Sequence, residues 1–341
     1  MATLRELAEY TGYSITTISR VLNDDPTMSV TDSTRAAILE AAGKLHYKTT
    51  PKVSRSRSRS SAGCYAIAEM LSPVEQLADP YYLYLRNYAE QYCRDKRIRT
   101  LHLLEQGGEY RADLAGNFEG ILAIGIFSEE QIQALQRICP KLVFLDSAPD
   151  ESRFDSVVLN YRVGIEQALD SLLALGHTRI GFLGPTAKLD QKKRPAPEVR
   201  RQYFIQYMQK KGLFDPNFLF DAPMSAPEAR AVVSSRLESG ASMPTALIAA
   251  NEEAAIGAVS AARSAGLSVP RDLSIISFND TVLSTLTDPP LTSISTHVEE
   301  MSHLAVDLLA RRISLEESTL PLKIVVPPTL IQRESVSPPS L

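Results

Sequence analysis

Residues 3–23 constrain this chain more than any other stretch, because their pattern accommodates one local fold, two short helices joined by a tight turn. Leu4, Leu7 and Ala8 fall on one face of a helix that Thr3 can cap. Gly12 can take the left-handed conformation that ends it. Ser14 then caps a second helix whose inward face is Thr17, Ile18, Val21 and Leu22, which leaves Ile15, Thr16, Ser19 and Arg20 facing outward near its start. A helix-turn-helix reads base edges with the N-terminal part of its second helix, so these outward side chains are candidates for that work. An ordinary helical hairpin is the alternative. A third helix, 32–46, follows the cap Thr31, with Ile38, Leu39, Ala42 and Leu45 predicted on its buried face and Asp32 beside the positive end of its dipole.

Charge separates this head from the rest. Residues 1–60 hold nine Lys and Arg against six Asp and Glu, and the remaining chain holds 27 against 34, so the net charge of −4 hides a basic head on an acidic body. Lys44, Lys48, Lys52, Arg55, Arg57 and Arg59 follow one another with no acidic residue between them. Such asymmetry points to phosphate contacts confined to one end. Residues 49–63, rich in Ser and Arg with Pro51 and the single apolar anchor Val53, cannot build a core and form a linker.

With 341 residues, 44% of them apolar, the chain is long enough for more than one domain. It lacks the apolar run of about 18 residues that a membrane span needs, and polar residues interrupt the N-terminus at every turn, so a cytoplasmic protein without a membrane partner is expected. Cys64, Cys93 and Cys139 are odd in number and lack metal-type spacing, which favours reduced thiols over a metal site.

Beyond the linker, strand and helix patterns alternate. Candidate strands are 65–71, 99–104, 120–126, 142–145, 156–159, 179–183, 246–250, 273–278 and 323–326. Amphipathic helices are predicted at 82–97, 129–138, 163–175, 197–211, 226–238 and 252–265. Short connections between them give parallel sheets covered on both faces. Two such units in tandem make a bilobed body with a cleft. Ligands of open parallel sheets sit beyond the carboxyl ends of the strands, which directs attention to Asp146, to 184–185, to Asn251 and to Asn279 with Asp280. The run Lys192, Lys193, Arg194 and the residues Asp215 and Asp221 read as solvated loops, and His177 as a turn residue.

Five segments in order carry a resemblance: Thr-Ile-Ser-Arg-Val-Leu-Asn (17–23), Ala-Leu-Gly-His-Thr-Arg-Ile-Gly-Phe-Leu-Gly (174–184), Ala-Asn-Glu-Glu-Ala-Ala-Ile-Gly-Ala (250–258), Gly-Leu-Ser-Val-Pro-Arg-Asp-Leu-Ser-Ile-Ile-Ser-Phe-Asn-Asp (266–280) and Asp-Pro-Pro-Leu-Thr-Ser-Ile (288–294). On these the chain resembles the lactose/galactose repressor (LacI/GalR) family of bacterial transcription regulators over nearly its whole length. Within it, 22–27, 44–49 and 79–83 are most similar to the branch that represses the evolved β-galactosidase operon. The resemblance implies a three-helix helix-turn-helix head at 1–49 and a hinge at 50–62. It also implies a periplasmic-binding-protein-like α/β sensor with an N-terminal lobe (63–160, 295–325) and a C-terminal lobe (161–294, 326–341).

It further implies a homodimer on double-stranded operator DNA. Ile15, Thr16 and Arg20 fall at base-reading positions. Thr3, Ser14, Thr17, Ser19 and Asn23 are phosphate-contact candidates, with packing or capping the alternative for Thr17. The family's hinge leucine has no counterpart here. Pro51 and the Arg-Ser repeat around Arg55 and Arg57 stand in its place, so either arginines enter a narrow minor groove or the central kink is absent.

For the sensor the resemblance implies a sugar effector of galactoside type. Arg200, Asp146, Asn251 and the pair Asn279-Asp280 fall at its contact positions, with Asn279 where an aspartate is usual. Phe278 could stack on a pyranose or simply pack, and the same choice holds for Tyr81 and Tyr82. Arg201 is read first as a helix-surface charge. No cofactor, metal or catalytic set is expected, and the chain is not read as an enzyme. An exported sugar-binding protein, a corepressed repressor and an activator are the other readings.

Overall fold

The computed structural model describes residues 4–22, 30–45, 63–71, 80–106, 109–113, 116–190, 192–315 and 319–340. The chain divides into two compact units, Met1–Ser61 and Ala62–Leu341.

In the first unit, α1 (Leu4–Thr11), α2 (Ile15–Leu22) and α3 (Asp32–Lys44) enclose Leu7, Ile18, Val21, Ile38, Ala41 and Ala42. Gly12, at φ +73°, turns the chain out of α1, and its N–H donates to the Ala8 carbonyl at 2.9 Å. Ser14 Oγ accepts from Thr17 N at 3.1 Å, and Thr31 Oγ1 accepts from Thr34 N at 3.3 Å, so each satisfies an amide at the start of its helix.

One expectation fails here. Leu39, predicted to be buried, is 52% exposed, and Ala41 takes the inward place. Ile38, Ala41, Ala42 and Leu45 repeat at three and four residues, whereas Leu39 sits one residue, about 100°, off that line. Leu39→Ala should therefore change stability by no more than about 0.5 kcal/mol. Ile38→Val should cost about 0.5–1.5 kcal/mol, both read from native-state hydrogen exchange of amides in α1–α3.

The second unit is built on two sheets. Along the chain come β1 (Cys64–Glu69), α4 (Pro80–Asp95), β2 (Arg99–Gln106), β3 (Glu109–Ala112), β4 (Gly120–Ile124), α5 (Glu129–Ile138), β5 (Leu142–Leu145) and β6 (Asp155–Leu159). The chain then crosses into α6 (Tyr161–Ala174), β7 (Ile180–Gly184), the short hairpin β8 (Ala187–Leu189) and β9 (Pro195–Pro197), α7 (Val199–Lys210), β10 (Leu219–Asp221), α8 (Ala226–Glu238), β11 (Ala246–Ala249), α9 (Glu252–Ser264), β12 (Ser274–Asn279), α10 (Val282–Leu286) and β13 (Thr292–Ser295). It returns through α11 (Val298–Ser314) and β14 (Lys323–Val326) and ends with β15 (Thr329–Ile331).

The first lobe's sheet runs β14-β6-β5-β4-β1-β2-β3, parallel except for β3, and the second lobe's runs β10-β7-β11-β12-β13-β15, parallel except for β15. Their central strands β4, β5, β7 and β11 are almost continuously apolar because both faces are covered. In β1, Tyr65 and Ile67 face the core shared with Leu85 of α4 and Leu309 of α11, while Ala66 and Ala68 face Leu135 of α5. In β11, Leu247 packs with Val233 of α8, and Ile248 with Phe204 of α7.

The sequence reading assigned no helix to 298–314, although α11 fills one face of the first sheet. The three cysteines are free and buried. His177 does more than turn the chain: its ring nitrogens bond Thr245 Oγ1 and the Ser337 carbonyl, each at 2.8 Å, tying the C-terminal segment to the second lobe. No helix among the described residues is long and apolar enough to cross a membrane.

Three crossings join the lobes, at Asn160, at 296–297 and at 327–328, between the last strand or first helix of each side. They are cross-linked. Asn160 N donates to the Val326 carbonyl at 2.9 Å, and His297 Nε2 lies 2.9 Å from Thr329 Oγ1.

Candidate functional site

On α2, Ile18 and Val21 are buried and hold the helix against its neighbours, while Ser14, Ile15 and Thr16 are exposed, Ile15 by 47%. Thr17 is half-buried with its hydroxyl 2.9 Å from that of Ser14; Ser19 and Arg20 are also partly exposed. The helix thus presents hydroxyls, one apolar side chain and one guanidinium. Thr3, Asn23, Arg55 and Arg57 lie outside the described residues.

In the second unit a cleft of about 530 Å³ opens between the lobes, within the range of small-molecule sites. From the first lobe come Tyr82, Ile126, Asp146 and Leu159; the second contributes Tyr161, Lys188, Glu198, Arg200 and Tyr203.

Asp146 follows β5 with φ +70°, a left-handed backbone that aims its carboxylate across the strand ends. Three phenols converge on it. Tyr81 and Tyr161 donate to Oδ1 at 3.3 and 3.4 Å, and Tyr82 donates to Oδ2 at 3.1 Å. Tyr81 stands behind Tyr82, edge to face at 5.2 Å. Burial raises the Asp146 carboxyl above its ordinary value, against the pull of Lys188, Tyr82 and Arg200. The phenols of Tyr81 and Tyr161 are pushed well up by burial and then by the Asp146 charge, so they remain donors.

A stability slope follows. From the ordinary carboxylate value of 3.8 up to the raised one, the folded protein binds more protons than the unfolded chain, so stability falls as pH rises through that window. Asp146→Asn removes the slope: relative to the parent, its melting temperature should climb with pH across the window and then level off. A flat difference between the two melting curves would mean that Asp146 keeps an ordinary carboxyl.

Across the cleft, Arg200 is 3% exposed and Glu198 is 1% exposed. Glu198 caps α7, its Oε1 accepting from Arg200 N at 3.2 Å and from Arg200 Nε at 2.7 Å. The guanidinium also donates through Nη1 to the Ala250 carbonyl and lies 5.3 and 5.7 Å from the ring centres of Tyr161 and Phe278. Burial alone would raise the Glu198 carboxyl, but the Arg200 charge and its hydrogen bonds overcome that and hold it at about 2. Burial likewise opposes the Arg200 charge, and the Glu198 carboxylate more than offsets it. Tyr161 joins the two halves of the site, its hydroxyl on Asp146 and its ring under Arg200.

The cleft therefore brings together Tyr82, Asp146 and Arg200 of the residues singled out in the sequence, with Tyr81 one layer behind. The others are placed elsewhere. Asn251 is a buried cap of α9, its Oδ1 accepting from Ala254 N at 2.9 Å and its Nδ2 donating to the Met224 carbonyl at 3.0 Å. Phe278 is fully buried in the second-lobe core. Asn279 and Asp280, at φ +99° and +58°, follow β12, and Asp280 pairs with Arg333 at 2.7 Å. Arg201 donates to the Gly184 carbonyl at 3.2 Å.

Glu198, Tyr161, Lys188 and Tyr203 are cleft residues that sequence reasoning missed. The Lys192–Arg194 run is, as expected, an exposed turn, but it is the turn of the β8–β9 hairpin, whose Lys188, Asp190, Lys192 and Arg194 line the cleft. Lys193 reaches the first lobe, donating to Gln131 Oε1 at 3.3 Å. An acidic residue just before a helix ordinarily reads as a solvated cap, and nothing in the local sequence announces that Glu198 is buried. The geometry can hold a polar molecule; the three carboxylates that line it are each engaged, Asp146 by phenols, Asp190 by Arg194 and Glu198 by Arg200, and no group of metal ligands occurs among the described residues.

Known proteins resemble the chain along both units. Residues 3–50 match the model of bacterial regulatory proteins of the lacI family, and 169–336 match that of a periplasmic binding protein-like domain. The chain is 34% identical to the HTH-type transcriptional regulator GalR of Streptococcus thermophilus, over 92% of this chain and 93% of that one. It is 29% identical to the HTH-type transcriptional repressor MelR of Bacillus subtilis (strain 168), over 98% and 97%. Among solved structures, the lac repressor dimer bound to operator and the anti-inducer ONPF shares the fold, with a TM-score of 0.63 at 23% identity and coverage of 98% and 99%.

Proposed function

Because the chain belongs to the lacI family of bacterial regulatory proteins, we propose that it is the repressor of a sugar-utilisation operon, galactoside in type, and that it leaves its operator when the sugar fills the cleft. It is a DNA-binding transcriptional regulator and not an enzyme. The observation that carries the sugar reading is the cleft itself. Asp146 from one lobe and Arg200 from the other, joined by Tyr161, set charged acceptors and donors opposite each other, an arrangement that suits vicinal hydroxyls. The galactoside class is supported by the name of the relative GalR and by the likeness of 22–27, 44–49 and 79–83 to a β-galactosidase-operon branch.

In this reading residues 1–49 form the DNA-binding head and 50–62 the hinge, with Arg55 and Arg57 entering a narrow minor groove. Two copies place their α2 helices in successive major grooves, about 34 Å apart. Ile15, Thr16 and Arg20 meet bases, while Thr3, Ser14, Thr17, Ser19 and Asn23 meet phosphates. Tyr82, Asp146 and Arg200 touch the sugar, and Tyr81, Asn251, Phe278, Asn279 and Asp280 hold the strand ends around it. Release requires that the sugar bind the operator-free arrangement of the lobes more tightly than the operator-bound one. The cross-linked crossings are the elements that would move together.

The test is fluorescence anisotropy of labelled DNA from upstream of the protein's own gene, titrated first with protein and then with α- and β-galactosides. Release by one of them supports the reading. Binding that a sugar strengthens makes the protein a corepressed regulator, and binding indifferent to every galactoside removes the galactoside class.

A further inference from the structure

Glu198 has one oxygen that nothing fills. Its Oε1 carries both contacts from Arg200, while Oε2, in a side chain 1% exposed, has no hydrogen-bond partner among the described residues, yet Glu198 lines the cleft. A buried carboxylate oxygen left without a donor destabilises the fold, so its persistence in the wall of a cavity points to a donor supplied from outside. Beside it, Arg200 Nη2 has the Met224 Sδ, 3.4 Å away, a weak acceptor, as its contact among the described residues. An acceptor and a donor thus stand together without good partners.

We propose that Glu198 is a specificity residue of the cleft: its Oε2 accepts a hydrogen bond from one hydroxyl of a neutral sugar whose oxygen accepts in turn from Arg200 Nη2. This rests on the sugar reading above. The donor is a hydroxyl and not an ammonium, because Arg200 already neutralises Glu198, and among the other charges of the lining Lys188, Lys192, Arg194 and Lys323 outnumber Asp146 and Asp190. It is not a carboxylate or phosphate oxygen either, since those cannot donate to Oε2. The site consequently rejects a sugar that lacks this one hydroxyl, for then both buried groups stay unpaired.

Calorimetric titration of the full chain with methyl β-galactopyranoside and its singly deoxygenated derivatives tests this. One derivative should bind about 10- to 100-fold more weakly than the parent sugar, and the isosteric Glu198→Gln variant should bind the parent sugar more weakly and no longer distinguish it from that derivative. Equal wild-type affinity for the parent and every derivative overturns the proposal even if the variant fails to fold. Discrimination that persists undiminished in Glu198→Gln also overturns it. If no galactoside binds, a panel of other neutral mono- and disaccharides separates the two ideas. Binding of one of these that weakens in Glu198→Gln keeps the Glu198 role and removes the galactoside class. Binding that the variant leaves unchanged removes the Glu198 role, and binding of none removes both.

Discussion

Replacing Arg200 by methionine is expected to destabilise the sensor by about 3–5 kcal/mol and to abolish the response to effector, because it leaves Glu198 buried without its countercharge. The Glu198 carboxyl is held at about 2 by this guanidinium, so the pair's stabilisation is full above the ordinary value of 4.5 and is lost as pH falls toward 2. In Arg200→Met the slope should reverse, because burial alone raises the Glu198 carboxyl and the fold is then more stable on the acid side. A second change, Glu198→Gln, in the same chain should recover most of the lost stability, since removing both partners spares the desolvation of the remaining charge. It should not recover the response, because the contact to the sugar is gone. Urea melts and operator-release titrations of the two variants separate the terms. A loss below about 1 kcal/mol in Arg200→Met would mean that the pair is solvated, and a normal dose response would remove Arg200 from the sugar site.

Arg20→Ala is expected to lower operator affinity by about 1–3 kcal/mol, about 5- to 150-fold, while leaving binding to unrelated DNA nearly unchanged. The geometry behind this is the face of α2. Ile18 and Val21 are buried, so Ile15, Thr16, Ser19 and Arg20 project together from the other side. Arg20 carries the fork that meets two guanine acceptors at once, which a phosphate contact does not require. Anisotropy titrations at fixed salt, on operator and on scrambled DNA, give the ratio of affinities. An equal fall on both DNAs would make Arg20 a phosphate contact, and no fall on either would remove it from the interface. Effector binding should be intact, because the change lies in the other unit.

Much of this was legible from residue pattern. Gly12 and Ser14 mark the turn and the start of α2 because a left-handed exit and a side-chain acceptor are local needs that few residues meet. The strands could be read because burial on both faces makes them continuous apolar runs, as in Gly120–Ile124 and Leu142–Leu145. Asp146 and Arg200 were found by their places, one just past a strand and the other matching a family position. Leu39 was misplaced by counting apolar residues where the angle around the helix decides. The apolar positions of α11 repeat helically, but its start is unmarked, for the cap position is His297, which makes no side-chain capping bond.

By itself, then, the sequence determined the head's helices, the central strands and most of the helices that cover them, the basic head and the family, because each depends on neighbours within a few turns or on motifs that stand in one segment. Only the tertiary structure decided how Asp146 and Arg200 are joined. Tyr161 lies 39 residues from Arg200 and 15 from Asp146, and it meets both because the crossing at Asn160 sets the first turn of α6 against the strand ends of the other lobe. It also decided that Glu198 is a buried acceptor with an empty oxygen and that the lysine-rich hairpin is a wall of the cleft. Burial and membership of a cavity wall both depend on tertiary neighbours, which no local pattern of residues announces.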